Sequence, residues 1–246
     1  MVGGGWLRGV RLELDEREPQ DYPYSIPAVA ALRDELPLDP AITFLVGDNG
    51  SGKSTLIEAI AAAAGFNPEG GSRNFSFQTR DSTSPLHERL RLVRGIQRPA
   101  TGYFLRAESF FNVATQIEQL GEEVTKAHGG ASLHEQSHGE SFISLALHRF
   151  GPRGLYLLDE PEAALSPGGC LAMLRRIHDL IAEDGQFVIA THSPLLMAYP
   201  GAVVYELDEH GIAQVDYRQT GTYQLFEAFL DSPDRFLRHL LDGPEP

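Results

Sequence analysis

Residues 41–60 read AITFLVGDNGSGKSTLIEAI: a short apolar β-run, a glycine-rich turn, then an apolar-periodic helix. Gly47, Gly52, Lys53 and Ser54 fill the fixed positions of G-x-x-x-x-G-K-[ST], with a strand ending at Val46 and a helix opening near Lys53. Glycines at 47, 50 and 52 let successive N–H groups turn inward around phosphate oxygens, where a Cβ would clash, and the helix N-terminus adds partial positive charge. The reading is a phosphate-binding loop made of Gly47, Asp48, Asn49, Gly50, Ser51, Gly52, Lys53, Ser54 and Thr55. Lys53 is expected to bridge the β- and γ-phosphates of ATP, and the Ser54 hydroxyl to be a Mg²⁺ ligand. The alternative is a glycine turn before a helix, with no ligand.

The chain has 246 residues, 42% of them hydrophobic, enough for one large α/β domain or a domain with a subdomain insert. We expect one globular unit over 1–246 with a helical subdomain at about 107–150. Cys170 is the only cysteine, which excludes an internal disulfide framework and points to a reducing, cytoplasmic setting. The start, MVGGGWLRGV, has no long apolar segment, and no run approaches the roughly 18 apolar residues of a membrane span. A formal charge of -14 argues against non-specific binding to DNA or anionic lipid through the whole surface. Between Gly71 and Arg106, however, Arg73, Arg80, Arg89, Arg91, Arg94, Arg98 and Arg106 face only Asp81 and Glu88. Such a segment meets nucleic acid, an acidic partner or the nucleotide, or is a solvated surface.

In chain order, residues 6–14 read as a first strand, followed by a polar, proline-broken stretch through Pro27. Tyr22 or Tyr24 in that stretch is a candidate to stack on adenine; either also serves to pin a loop to the core. Ile26 to Leu36 reads as a short helix, 66–74 as a turn-rich connection, and 87–94 as helix or strand. Gly102 to Arg106 reads as a buried strand, Phe110 to Leu120 as an amphipathic helix, and Glu140 to Phe150 as a helix after a glycine-bracketed loop. Residues 202–206 and 212–217 read as a hairpin, and 223–241 as one or two helices broken at Ser232-Pro233.

GLYLLDEPEAALSP, residues 154–167, has an apolar run ending in Asp159 and Glu160, the pattern of a buried parallel strand delivering carboxylates at its C-terminal edge. Asp159 is then placed to hold Mg²⁺ with Ser54, and Glu160 to accept a proton from the attacking water. A third strand, Gln186 to Ala190, runs into Thr191-His192-Ser193, where His192 is placed to contact the γ-phosphate and keep that water in register. Solvated turn acids and a packed histidine are the plainer alternatives.

GDNGSGKST, SHGES at 137–141, LYLLDEP and ATHS together resemble the phosphate loop, signature motif, acidic strand and histidine switch of ABC-type ATPases. The resemblance covers about residues 7–206. It implies an α/β P-loop fold with a mostly parallel sheet, flanking helices, an antiparallel strand portion and a small helical insert. It also implies an ATP-driven head-to-tail homodimer, in which Ser137, Gly139 and Glu140 of one subunit approach the γ-phosphate bound by the other. The form DEPEAALSP lacks the aspartate usual in transporter subunits, Ser166-Pro167 standing there instead, and resembles soluble ATPases of the overcoming-lysogenisation-defect and recombination-protein-F classes. The γ-phosphate-sensing glutamine of the family has Gln78 and Gln97 as candidates by type, while Glu108 follows the GYFLR strand at the expected place.

His134-Glu135-Gln136-Ser137-His138 is formally the H-E-x-x-H of zinc proteases, but Gly139 sits poorly in the continuous helix that motif needs. The reading is therefore Mg²⁺-dependent ATP hydrolysis, with Lys53, Glu160 and His192 as catalytic candidates and no direct membrane insertion. The alternatives are a slow ATP-gated switch acting on a nucleic-acid or protein partner, or the nucleotide-binding subunit of a transporter.

Overall fold

Predominantly apolar strand runs must be covered on both faces, and three such runs, buried at every position, form the centre of this protein. The computed structural model describes residues 5–14, 21–72, 84–108 and 138–241. Its strands are β1 Leu7–Leu12, β2 Leu36–Pro37, β3 Ile42–Val46, β4 Gly71–Ser72, β5 Leu90–Arg94, β6 Thr101–Arg106, β7 Gly154–Asp159, β8 Gln186–Ala190, β9 Val203–Asp208 and β10 Gly211–Val215. The helices are α1 Pro27–Ala30, α2 Lys53–Ala63, α3 Leu86–Arg89, α4 His138–Arg149, α5 Pro167–Ala182, α6 Pro194–Met197, α7 Gly221–Asp231 and α8 Pro233–Leu241.

The main sheet has the order β10-β9-β3-β8-β7-β6-β4. β9, β3, β8, β7 and β6 run parallel, with antiparallel β10 and β4 at the edges. Successive side chains on a strand point to opposite faces, so each central strand feeds two cores. Leu45, Leu157 and Val188 pack with α2 and α1 on one face. Phe44, Val46, Tyr156, Leu158, Phe187 and Ile189 pack with α4 and α5 on the other. An antiparallel sheet, β2-β1-β5, covers the first face beside α2.

Gln186 joins the two sheets. Fully buried at the start of β8, its side chain accepts from Leu7 N–H at 2.8 Å and donates to the carbonyls of Leu7 at 2.6 Å and Asp39 at 2.8 Å. A single amide thus satisfies three backbone groups of segments far away in sequence.

Several expected elements change shape. The helix read over 26–36 is only α1 plus a 3₁₀ turn, Ala31–Arg33, because Leu36 is taken up as the β-partner of Val10. The turn-rich 66–74 stretch contains β4, paired antiparallel with β6. The ambiguous 87–94 stretch is both a helical turn and a strand, α3 then β5. The helix read from Glu140 begins two residues earlier, at His138, and so contains Gly139. Phe142, Leu145 and Ala146 within that helix, and Phe150 just past its end, are buried against the sheet as their spacing predicts. The helix read over 110–120 and most of the subdomain read at 107–150 lie outside the described residues. No described helix is long and apolar enough to cross a membrane.

Gln186→Leu conserves volume but strips three buried backbone groups of their partners. Each unsatisfied buried group costs roughly 1–3 kcal/mol, so the denaturant midpoint is expected to fall by the equivalent of about 3 kcal/mol or more, measured by urea unfolding of wild type and variant side by side.

Candidate functional site

Because β3, β8, β7 and β6 are parallel neighbours, the residues that follow them emerge side by side at one edge of the sheet, where α/β proteins bind ligands. β3 delivers the 47–55 loop, β8 delivers His192, β7 delivers Asp159 and Glu160, and β6 ends on Arg106.

The loop adopts the backbone that its glycines permit. Gly47 and Gly52 have φ of 143° and 98°, and a Cβ on Gly47 would lie 2.2 Å from the Leu207 carbonyl oxygen. Lys53 opens α2, with its side chain buried. Its Nζ donates to the carbonyls of Gly47 and Asp48, both at 2.9 Å. Burial pushes the ammonium down from its ordinary range, while Glu160 and Asp159 pull it back up. The Ser51 hydroxyl is buried in the same loop with no hydrogen-bond partner among the described residues.

One turn along α2, Glu58 faces Arg106, and beside Lys53 the Ser54 hydroxyl donates to Asp159 Oδ1 at 3.0 Å. Asp159 is buried at the end of β7, and burial pushes its carboxyl up to about 6 against the pull of Arg106 and Ser54. Arg106 was legible only as one of a run of arginines. Its strand is paired so that Arg106 stands opposite Asp159, with Nε 3.5 Å from Oδ2. Its other nitrogens lie 3.0 Å from Glu58 and 3.5 Å from Glu108, and its side chain is only 18% exposed. The guanidinium therefore neutralises the acids from behind, leaving Asp159 Oδ1 on the Ser54 side.

Glu160 sits in the left-handed region, φ 49° and ψ 51°, a conformation that costs a non-glycine residue on the order of 1 kcal/mol or more. Its N–H is tied to the Ala190 carbonyl at 2.9 Å, which holds the turn against β8. The Glu160 carboxylate lies 3.4 Å from His192 Nε2. Glu162, which the sequence reading passed over, accepts a hydrogen bond from the His192 backbone N–H through Oε1, and its Oε2 is buried without a partner among the described residues. The only sequence signal for it was a second acid after D-E-P.

Other candidates fall elsewhere. Gln97 lies between β5 and β6, at the opposite edge of the sheet, lining a cavity of about 360 Å³ with Trp6 and Arg94. Glu108 reaches Arg106, and Gln78 lies outside the described residues. Tyr24 packs against the first core, whereas Tyr22 is 70% exposed; Ile26 of the same segment approaches Gly52. Gly139 and Glu140 belong to the first turn of α4, and Ser137 lies outside the described residues, as do His134, Glu135 and Gln136 of the zinc-like stretch. Of the basic run, Arg91 shares Glu13 with Arg11, Arg94 donates to the Ala63 carbonyl, and Arg73 and Arg80 lie outside the described residues.

Comparison with known proteins agrees with this edge. Residues 32–131 match a family described as "AAA domain", and residues 103–198 one described as "AAA domain, putative AbiEii toxin, Type IV TA system". The cytochrome c biogenesis ATP-binding export protein CcmA of Rhodopseudomonas palustris is 30% identical over 165 residues, 61% of this chain and 78% of that protein. The thiamine import ATP-binding protein ThiQ of Cereibacter sphaeroides is 32% identical over 165 residues, 61% of this chain and 70% of that protein. Among solved structures, one titled "An inward-facing conformation of a putative metal-chelate type ABC transporter" shares the fold, with a TM-score of 0.50 and 16% identity over 92% of this chain and 89% of its own. The parallel strand edge, its glycine loop and these relatives make the chain a member of the ABC-type P-loop ATPases, whose general reaction is ATP hydrolysis.

Proposed function

We propose that this chain binds ATP with Mg²⁺ across the ends of β3, β7 and β8 and hydrolyses it. The observation that carries the reading is the 3.0 Å contact between Ser54 Oγ and Asp159 Oδ1, one residue from the buried Lys53 ammonium. A hydroxyl and a carboxylate are hard oxygen donors, and Mg²⁺ binds through one or two such groups while keeping waters and phosphate oxygens as its other ligands. Ser54 and Asp159 thus fit Mg²⁺, which when bound supplies positive charge to the β- and γ-phosphate oxygens.

The protein residues divide the remaining work. Backbone N–H groups of the 47–55 loop cradle phosphate oxygens, and Lys53, held now on two carbonyls, exchanges them for the β- and γ-phosphates. Glu160 takes a proton from the attacking water. His192 orients that water and the γ-phosphate, with its loop held by Glu162. The exposed Tyr22 ring is the one free to stack on adenine. The helix N-terminus at His138 and Gly139, with the partial positive charge of its dipole, supports pairing with the nucleotide of a second subunit in a head-to-tail homodimer. The single, buried Cys170 supports a reducing, cytoplasmic setting.

A second reading is supported by the names of two relatives, one an export and one an import ATP-binding protein. In it the chain is the nucleotide-binding subunit of a transporter, and it co-purifies with a membrane protein from its own cell. Ser166-Pro167, in place of the transporter aspartate, weighs against it.

Two outcomes are expected. In Mg²⁺-dependent turnover assays, Glu160→Gln slows hydrolysis by about 10²–10⁴-fold, the usual worth of a general base, yet still binds ATP and accumulates as an ATP-bound dimer. Lys53→Ala does neither, and unchanged turnover in Glu160→Gln would remove Glu160 from the role of base. Separately, Glu162→Ala is expected to lower kcat roughly tenfold, the equivalent of one hydrogen bond, at little cost in KM for ATP. Glu162→Gln, which keeps an acceptor oxygen for His192 N–H, should recover most of the loss.

A further inference from the structure

The C-terminal helices carry an apolar face out of proportion to the rest of the surface. Leu225 and Leu230 on α7 are 60% and 72% exposed, and Leu240 and Leu241 on α8 are 77% and 74% exposed. Contiguous apolar surface of this kind marks an interaction site.

Two features give this face a shape and a charge. The first is a groove of about 890 Å³ between α7 and the segment from Leu165 to Leu195, with Leu165, Cys170, Leu195, Tyr223, Phe226 and Leu230 on its walls. Glu227 and Asp231 give its α7 wall an acidic border, while Glu162 and His192 line the groove where it meets the loop after β8. The second feature is α8 itself. Leu237, Leu240 and Leu241 are spaced i, i+3, i+4 and form one stripe, flanked by Arg235 and Arg238, with Asp234 as the one acid of the helix, in its first turn. Neither arginine has an ion-pair partner among the described residues, and Arg238 donates only to the Asp234 carbonyl. The turn at Ser232-Pro233 lays α8 against α7 through Phe229 and Phe236, ring centroids 5.9 Å apart, and no α8 residue lines the groove among the described residues. Each chain therefore presents a basic apolar helix and, separately, an acidic apolar trough that its own helix leaves open.

We infer that a second copy of this chain covers the face: α8 of one protomer lies in the groove of the other, and the exchange is reciprocal about a two-fold axis. The lengths agree. Nine residues of α8 span about 13 Å, as does the stretch of α7 from Tyr223 to Asp231 that walls the groove. The charges agree too, since Arg235 and Arg238 meet Glu227 and Asp231 of the partner. A chain of net charge -14 repels its own copies at large, so a self-contact needs local complementarity of this kind. The two-fold reciprocity uses both halves of the contact on each chain, so the assembly closes as a dimer and leaves no free edge. Helix-in-groove recognition by an i, i+3, i+4 stripe is the mode used. This dimer needs no nucleotide and does not rest on the head-to-tail pairing proposed above.

The test uses the full chain carrying Lys53→Ala, without nucleotide, in sedimentation equilibrium. The expected result is a mass twice the 27.0 kDa of one chain, with a dissociation constant of about 10 µM or tighter. Reversing α8 with Arg235→Glu and Arg238→Glu should weaken the dimer at least tenfold while leaving circular dichroism unchanged. Adding Glu227→Arg and Asp231→Arg to the same chain should restore it. A monomer at about 100 µM for the Lys53→Ala chain with α8 and the groove unaltered would overturn the inference. So would a dimer indifferent to the α8 reversal, or one that the compensating reversal fails to restore.

Discussion

A parallel sheet buried on both faces exposes its polar chemistry only where its strands end. Here β3, β8, β7 and β6 lie side by side, and each ends on a different chemical group: an amide-lined loop, a histidine, two carboxylates and a guanidinium. The apolar interior of the strands fixes the spacing of these groups. Leu45, Leu157 and Val188 on one face, and Phe44, Leu158 and Ile189 on the other, hold the ladder. The spacing of the site groups is thus set by core packing.

That spacing has an electrostatic side. Asp159 and Glu58 are both buried enough to be pushed towards their neutral forms. Arg106 offsets the penalty by standing between them on a neighbouring strand, where its rotameric freedom is limited by the contacts to both. Lys53 adds its charge to Asp159 and to Glu160 beside it. Two cations placed behind and beside the acids leave the Ser54 side of Asp159 free for a further positive charge.

The parts legible in the sequence are those encoded locally. The glycines of 47–52 need particular backbone angles, and LYLLDE states in six residues both the strand and the acids at its end. The hairpin at 203–215 and the break at Ser232-Pro233 are similarly self-contained. What escaped was encoded by contacts across the chain. Arg106 looks like any arginine until strand pairing sets it opposite Asp159. Glu162 acquires its role only when β8 brings the His192 N–H within reach. Leu36 looked helical, and pairing with β1 took it into a strand. Gly139 argued for a loop by propensity, a preference of about 1 kcal/mol that the buried face of α4 outweighs.

Gln186 and His192 stand at opposite ends of one short segment, roughly 20 Å apart at the rise of an extended chain. The amide of Gln186 grips β1 and the Asp39 turn, so β8 works as a tie-rod between the small antiparallel sheet and the edge where the main strands end. A load applied to the small sheet travels along the axis of β8. Its ladders to β3 and β7 then resist in shear, all rungs together, and do not peel one by one. The small sheet is consequently the handle by which mechanical force on this protein would be felt at His192 with the least slack.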